Sequence, residues 1–234
     1  MLEVEALRAG YGGSEVLHSI SLTVRDGERV ALLGPNGHGK TTLLNTISGL
    51  ITPYGGTVTF GGRRLTGLPS DQIVAAGVVH IPQGDLPFPS MTVLENLLMG
   101  AYVRSAWRER RRRLDEVFEL FPGLAGRRHQ AARTLSGGER RMLALGRGIM
   151  ADARLLLIDE PSLGLAPTII DAVYRMISRI TGSGDRSLLL VEENAQRIDG
   201  LADRVYVLQS GAVVLEGEPR TLVSDPALLA AYLG

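Results

Sequence analysis

Gly34-Pro35-Asn36-Gly37-His38-Gly39-Lys40-Thr41 is the stretch on which the reading of this chain turns. It fits G-x-x-x-x-G-K-[ST] at every fixed position. The apolar run Arg29 to Leu33 precedes it and reads as a buried strand. Lys40 to Ser48 reads as a helix that Gly49 ends. Between the two, glycines let backbone N–H groups turn inward around an anion without a Cβ clash. The helix aims its positive end at the same point. Lys40 is expected to reach the β and γ phosphates of ATP, and the Thr41 hydroxyl to ligate Mg²⁺.

Further along, Leu155-Leu156-Leu157-Ile158-Asp159-Glu160 reads as a buried strand that delivers two carboxylates at its C-terminal end. Asp159 is placed to hold Mg²⁺, directly or through water. Glu160 is placed to polarise a water for in-line attack on the γ-phosphate. Leu135-Ser136-Gly137-Gly138-Glu139 opens another helix and offers a second N-terminus suited to a phosphate. One chain with one phosphate loop has no need of a second. The physical suggestion is that Ser136 to Glu139 serves a nucleotide held by a different subunit.

The bulk numbers agree with a folded enzyme of modest size. The chain has 234 residues, 44% apolar and 21% charged. Lys plus Arg is 25 and Asp plus Glu is 25, so nothing pushes it toward nucleic acid. It has no cysteine, which excludes disulfides and thiolate chemistry. No window holds 18 uninterrupted apolar residues, and Met1 to Gly10 lacks the apolar core of a signal peptide. A cytosolic chain that attaches to a membrane through partners is expected.

Other strands read at Leu2 to Leu7, Ile20 to Val24, Thr57 to Phe60, Gly77 to Ile81, Leu188 to Val191 and Val205 to Leu208. The last pairs with Val213 to Leu215 across Gln209-Ser210-Gly211. From Thr92 to Phe121, and again from Gly138 to Met150, the period is helical. The basic run Arg108 to Arg113 is followed one turn later by Asp115, Glu116 and Glu119, which reads as an exposed, charge-paired helix.

In this order the motifs resemble the ATP-binding-cassette (ABC) ATPase family along essentially the whole chain. The resemblance implies an α/β P-loop core, about 1–87 and 151–234, with an antiparallel β edge near the N-terminus. A helical subdomain, about 88–150, is inserted, and the whole forms one domain. It implies that Gly34 to Thr42 is the Walker A loop and that Tyr11 stacks on adenine. Gln83 would sense Mg²⁺ and the membrane partner. Ser136 to Glu139 would be the signature, with Glu139 where Gln is usual. Asp159 and Glu160 would close Walker B, and Ser162 to Leu165 would be the D-loop. Two such subunits would sandwich two ATPs, each held by Walker A of one chain and the signature of the other.

Phe88 to Val93, Glu95 to Tyr102 and Glu160 to Pro167 resemble importer ATPases for branched-chain amino acids. Val191-Glu192-Glu193-Asn194-Ala195 resembles the second of their two different ATPases. Importers for urea and short amides share these features. The implied partners are a second, paralogous ATPase or a copy of this chain, two transmembrane permeases and, indirectly, a solute-binding protein. Force would pass through a groove near Gln83 and the stretch 86–102. A soluble ABC ATPase and a low-turnover scaffold are the other readings.

Glu193 stands where most of the family has a histidine that contacts the γ-phosphate. Two unit charges about 4 Å apart repel by about 4 kcal/mol at an effective dielectric of about 20. Glu193 is therefore expected to turn away, to bind a proton, or to mark a site that hydrolyses poorly.

Overall fold

The structure is a computed structural model that describes residues 1–84 and 87–224. The first half contains β1 (Leu2–Tyr11), β2 (Ser14–Val24), β3 (Arg29–Leu33), α1 (Lys40–Ile47), β4 (Gly55–Phe60), β5 (Arg63–Arg64), α2 (Ser70–Ala75) and β6 (Val78–Ile81). A helical stretch follows: α3 (Val93–Gly100), α4 (Arg104–Arg108), α5 (Arg110–Leu120), α6 (Pro122–Ala125) and α7 (Gly137–Met150). The chain then continues through β7 (Leu155–Asp159), α8 (Pro167–Thr181), β8 (Ser187–Glu192), β9 (Arg204–Gln209), β10 (Ala212–Gly217) and α9 (Pro219–Ser224).

Six strands form one sheet in the order β10-β9-β3-β8-β7-β6. All are parallel except β10, which folds back on β9 as a hairpin. Successive side chains of a strand point to opposite faces. Val30, Leu32, Leu155, Leu157, Leu189 and Val191 enter one core, while Ala31, Leu33, Leu156, Ile158, Leu188 and Leu190 enter the other. Both faces are covered, so these strands read as unbroken apolar runs. One cover is α1 with the second sheet, of order β2-β1-β4-β5; the other is α3, α5, α7 and α8.

Three differences from the sequence reading have physical causes. β1 runs on to Tyr11 and β2 begins at Ser14, because register shifts and the positive φ of Ala6 and Ser19 interrupt the alternation that marks a strand. α8 has no counterpart in the reading, although its buried Val173, Ile177 and Ile180 fall at helical spacing. The basic run is charge-paired only in part. Arg112 meets Glu109 at 3.2 Å, but Arg113 is buried against Asp152, and Glu116 is taken by Arg186 at 2.7 Å.

Leu86, where the expected force-transmitting stretch begins, lies outside the described residues. Among those described, no helix is long and apolar enough to cross a membrane.

Candidate nucleotide site

Four adjacent parallel strands end side by side and deliver the candidate residues. Leu33 at the end of β3 pairs with Glu192 of β8, and Asp159 of β7 pairs with Val191. Gln83 follows two residues after β6. Ligands bind at this edge of open α/β sheets. Two glycines of the phosphate loop are sterically required. A Cβ on Gly34 would lie 2.3 Å from the Leu208 carbonyl oxygen. Gly39 has φ 101°, and its Cβ would lie 2.9 Å from Leu17 Cδ2.

Lys40 is 4% exposed and its ammonium donates to the Gly34 oxygen at 2.7 Å and the Pro35 oxygen at 3.1 Å. It also lies 3.2 Å from Glu160 Oε1. The other oxygen of Glu160 accepts from Gln83 Nε2 at 3.0 Å. Glu160 itself has φ 41°, left-handed backbone that a non-glycine residue rarely adopts. Its amide donates to the Val191 oxygen at 3.1 Å, so the β8 edge holds the strain in place.

Asp159 is fully buried, and neither of its carboxylate oxygens has a hydrogen-bond partner. Burial pushes its pKa up and the neighbouring Glu160 charge adds to this; the nearby Thr41 hydroxyl, Lys40 and Arg141 oppose the rise. A desolvated carboxylate without donors is costly, and a hard divalent cation compensates it. The donor types of Asp159, Thr41 and Gln83 fit Mg²⁺. Among the described residues no three His, Cys, Asp or Glu gather to hold a metal, so such an ion would take its other oxygens from phosphate and water.

A pocket of about 210 Å³ lies over the loop, lined by Asn36, Gly37, Gly39 to Thr42, Gln83 and Glu160. Of the expected residues, Gly34, Pro35, Asp159 and Glu193 do not line it, nor do Tyr11, His38 and the set Ser136 to Glu139. Tyr11 is 53% exposed at the end of β1. Ser136 to Glu139 sit at the N-terminus of α7 as a capping box. There the Glu139 carboxylate accepts from the Ser136 amide at 2.8 Å and its hydroxyl at 2.9 Å, and pairs with Arg127 at 2.9 Å. Gly138 meets α8 so closely that a Cβ would lie 2.6 Å from Ile169 Cγ2. The His38 imidazole also turns away from the pocket, and its Nδ1 accepts from the Ser210 amide at 3.0 Å.

Glu193 is exposed at the rim, and its Oε2 accepts from Asn36 Nδ2 at 3.1 Å. It therefore stays beside the phosphate loop through a neutral amide. The residue next to it was missed by sequence reasoning. Glu192 is 2% exposed and accepts from the Ser162 hydroxyl at 3.2 Å, the Glu193 amide at 3.2 Å and the Tyr174 hydroxyl. Arg197 donates to Ser162 in turn. Burial pushes the Glu192 carboxyl up, against these donors. The signal available was an acidic residue closing an otherwise apolar strand.

Comparisons with known proteins show the family. Residues 17–163 match the family model for ABC transporters. The chain is 42% identical, over 100% of both chains, to the high-affinity branched-chain amino acid transport ATP-binding protein BraG of Pseudomonas aeruginosa. It is 35% identical to the probable branched-chain amino acid transport ATP-binding protein LivF of Archaeoglobus fulgidus, over 95% of this chain and 94% of that one. Among solved structures, it superposes with TM-score 0.84 and 27% identity on an ATP-binding cassette of an ABC transporter in its ADP conformation, covering 100% of this chain and 98% of that one. The chain belongs to the ABC transporter family and is one of its ATP-hydrolysing subunits.

Proposed function

We propose that this subunit powers the uptake of branched-chain amino acids through a membrane permease. The observation that carries this reading is graded identity: 42% to BraG but 31% to BraF, two branched-chain amino acid transport ATP-binding proteins of one organism. Such grading supports a BraG-like member of a pair of different ATPases. Deleting the gene and measuring uptake of labelled leucine and of labelled urea tests it. Loss of leucine uptake is expected; loss of urea uptake alone sinks the amino-acid reading.

In this reading the loop Gly34 to Thr42 wraps the phosphates with backbone N–H groups, and Lys40 leaves its carbonyl partners for the β and γ phosphates. Tyr11 stacks on adenine. Asp159, Thr41 and Gln83 would hold Mg²⁺, which would supply charge neutralisation to the phosphates. Glu160 orients and polarises the attacking water from a backbone held in place by β8. Gln83 bonds Glu160, so a shift of Gln83 moves the base.

Ser136 to Glu139 line no part of the pocket of their own chain. That leaves them to meet a nucleotide on a second subunit, a paralogue or a copy. A mostly apolar groove of about 310 Å³ lies beside Gln83, and Leu50, Met99 and Tyr102 on its walls are 64%, 44% and 55% exposed. It suits a helix of a permease on the cytoplasmic face of the membrane, to which a solute-binding protein delivers the solute. The core at about 1–87 and 151–234 and the helical part at about 88–150 act as one domain.

A further inference from the structure

The chain has a single tryptophan, Trp107, and it sits among arginines on α4 and the start of α5. Arg104, Trp107 and Arg108 are spaced i, i+3 and i+4 and share one face of α4, and Arg111, in the first turn of α5, is exposed beside them in sequence. Glu109, at the joint of the two helices, has φ −92° and ψ 4°, a turn conformation that separates them, while Ala106 of α4 and Arg113 of α5, seven residues apart, are both buried, so the two helices present their exposed residues to the same side. The opposite face packs inward through Ala106, Arg113 and Val117, all buried.

The outward face is unusual in two ways. Trp107 is 46% exposed, and the Arg110 guanidinium stacks over its ring at 4.3 Å. Among the described residues, Arg104, Arg108 and Arg111 have no acidic partner; Arg112 pairs with Glu109. An exposed indole amid unpaired cations matches the boundary between water and anionic lipid. Arginines meet headgroup phosphates there, and an amphipathic ring sits at headgroup depth. The position fits as well. α4 follows Tyr102, on the wall of the groove assigned above to a membrane partner, by one residue.

We propose that the face Arg104–Trp107–Arg108–Arg111 docks on anionic phospholipid headgroups and holds the subunit against the membrane beside its permease. The location rests on the function proposed above; the lipid contact itself needs no permease and no nucleotide.

Because Trp107 is the only tryptophan, its emission reports this face alone. The purified full chain is mixed with vesicles of phosphatidylcholine, or of phosphatidylcholine and phosphatidylglycerol, at low and high salt. The expected result is co-sedimentation and a blue shift of Trp107 emission with the anionic vesicles only, both lost in high salt. The double substitution Arg108→Glu, Arg111→Glu lowers vesicle affinity by well over tenfold, since each arginine near an anionic surface is worth on the order of fivefold. That variant keeps its circular dichroism and its affinity for a fluorescent MgADP, which separates a lost patch from a lost fold. Equal binding to both vesicle types, or no change on charge reversal, overturns the proposal. So does retention on heparin and DNA without vesicle binding, which assigns the face to another polyanion. Failure of the wild type to bind nucleotide, with vesicle binding intact, would instead count against the nucleotide site.

Discussion

The carboxylate of Glu160 lies 3.2 Å from the ammonium of Lys40, and both side chains are almost fully buried. The residue assigned to polarise water and the residue assigned to grip phosphate thus neutralise each other, and in the proposed function nucleotide would separate them. Glu160→Gln keeps the shape and the Gln83 neighbour but loses the base. Binding of MgATP should survive within a few-fold, while turnover falls on the order of a hundredfold to ten-thousandfold. Equilibrium titration with parallel phosphate release checks this; undiminished release removes Glu160 from the chemistry. Lys40→Ala strands a buried carboxylate and should cost on the order of 3 kcal/mol of stability, besides lowering affinity.

The bond from Asn36 to Glu193 yields a second prediction, about rate. Glu193 is held beside the loop by a neutral amide, and if it faces a γ-phosphate, as the family resemblance implies, the two charges would repel. Glu193→Ala should raise the hydrolysis rate, and Glu193→His should raise it further by supplying a donor. Phosphate release per site, measured with and without the paralogous subunit, decides. A wild-type chain that hydrolyses ATP alone at ordinary transporter rates, unchanged by Glu193→Ala, refutes the idea of a weak site.

Glu192 ties the segment after β7, through Ser162, to the end of β8. Glu192→Gln turns one acceptor oxygen into a donor facing other donors, at a cost of about 1–3 kcal/mol. Turnover should drop more than affinity, because Glu160 and Glu193 lie on the two loops so joined. Thermal denaturation, kcat and nucleotide Kd measured together separate the outcomes. A stability loss with unchanged kcat would make the network structural only.

His80 predicts a pH effect on stability. Burial lowers its pKa from the ordinary value of 6.5 to about 4, and its Nε2 is buried without a partner. The unfolded chain therefore binds a proton that the folded chain refuses between pH 6.5 and about 4. Stability should fall as pH drops through that window, by about 3 kcal/mol in total. Urea denaturation at several pH values reads the slope, and His80→Gln should flatten it. An acid limb identical in both proteins contradicts this account.

Legibility in the sequence followed how local the determinants are. The phosphate loop, the strand into Asp159 and Glu160, and the helix at Ser136 are each written in a few consecutive residues. Glycines, a lysine and a capping pair act within one or two turns, so their geometry follows from the residues themselves. The parallel strands were equally plain, since burial on both faces leaves a continuous apolar run. The long ends of β1 and β2 were not, because bulges break the period on which strand reading depends. The partners of the basic run were not either. Arg113 finds Asp152 and Arg186 finds Glu116, at separations of 39 and 70 residues.

The amino-acid sequence by itself determined the chemistry available: a loop for phosphates, two carboxylates after an apolar strand, and a capped helix suited to a second phosphate. Only the tertiary structure decided which groups meet. Strand order brings the ends of β3, β8, β7 and β6 together, so Lys40, Glu192, Glu160 and Gln83 share one edge although the chain scatters them. It also left Asp159 without a donor, joined Glu193 to Asn36 and set Glu160 in a left-handed backbone. These outcomes depend on burial and on contacts between distant segments, and short-range preferences carry no information about either.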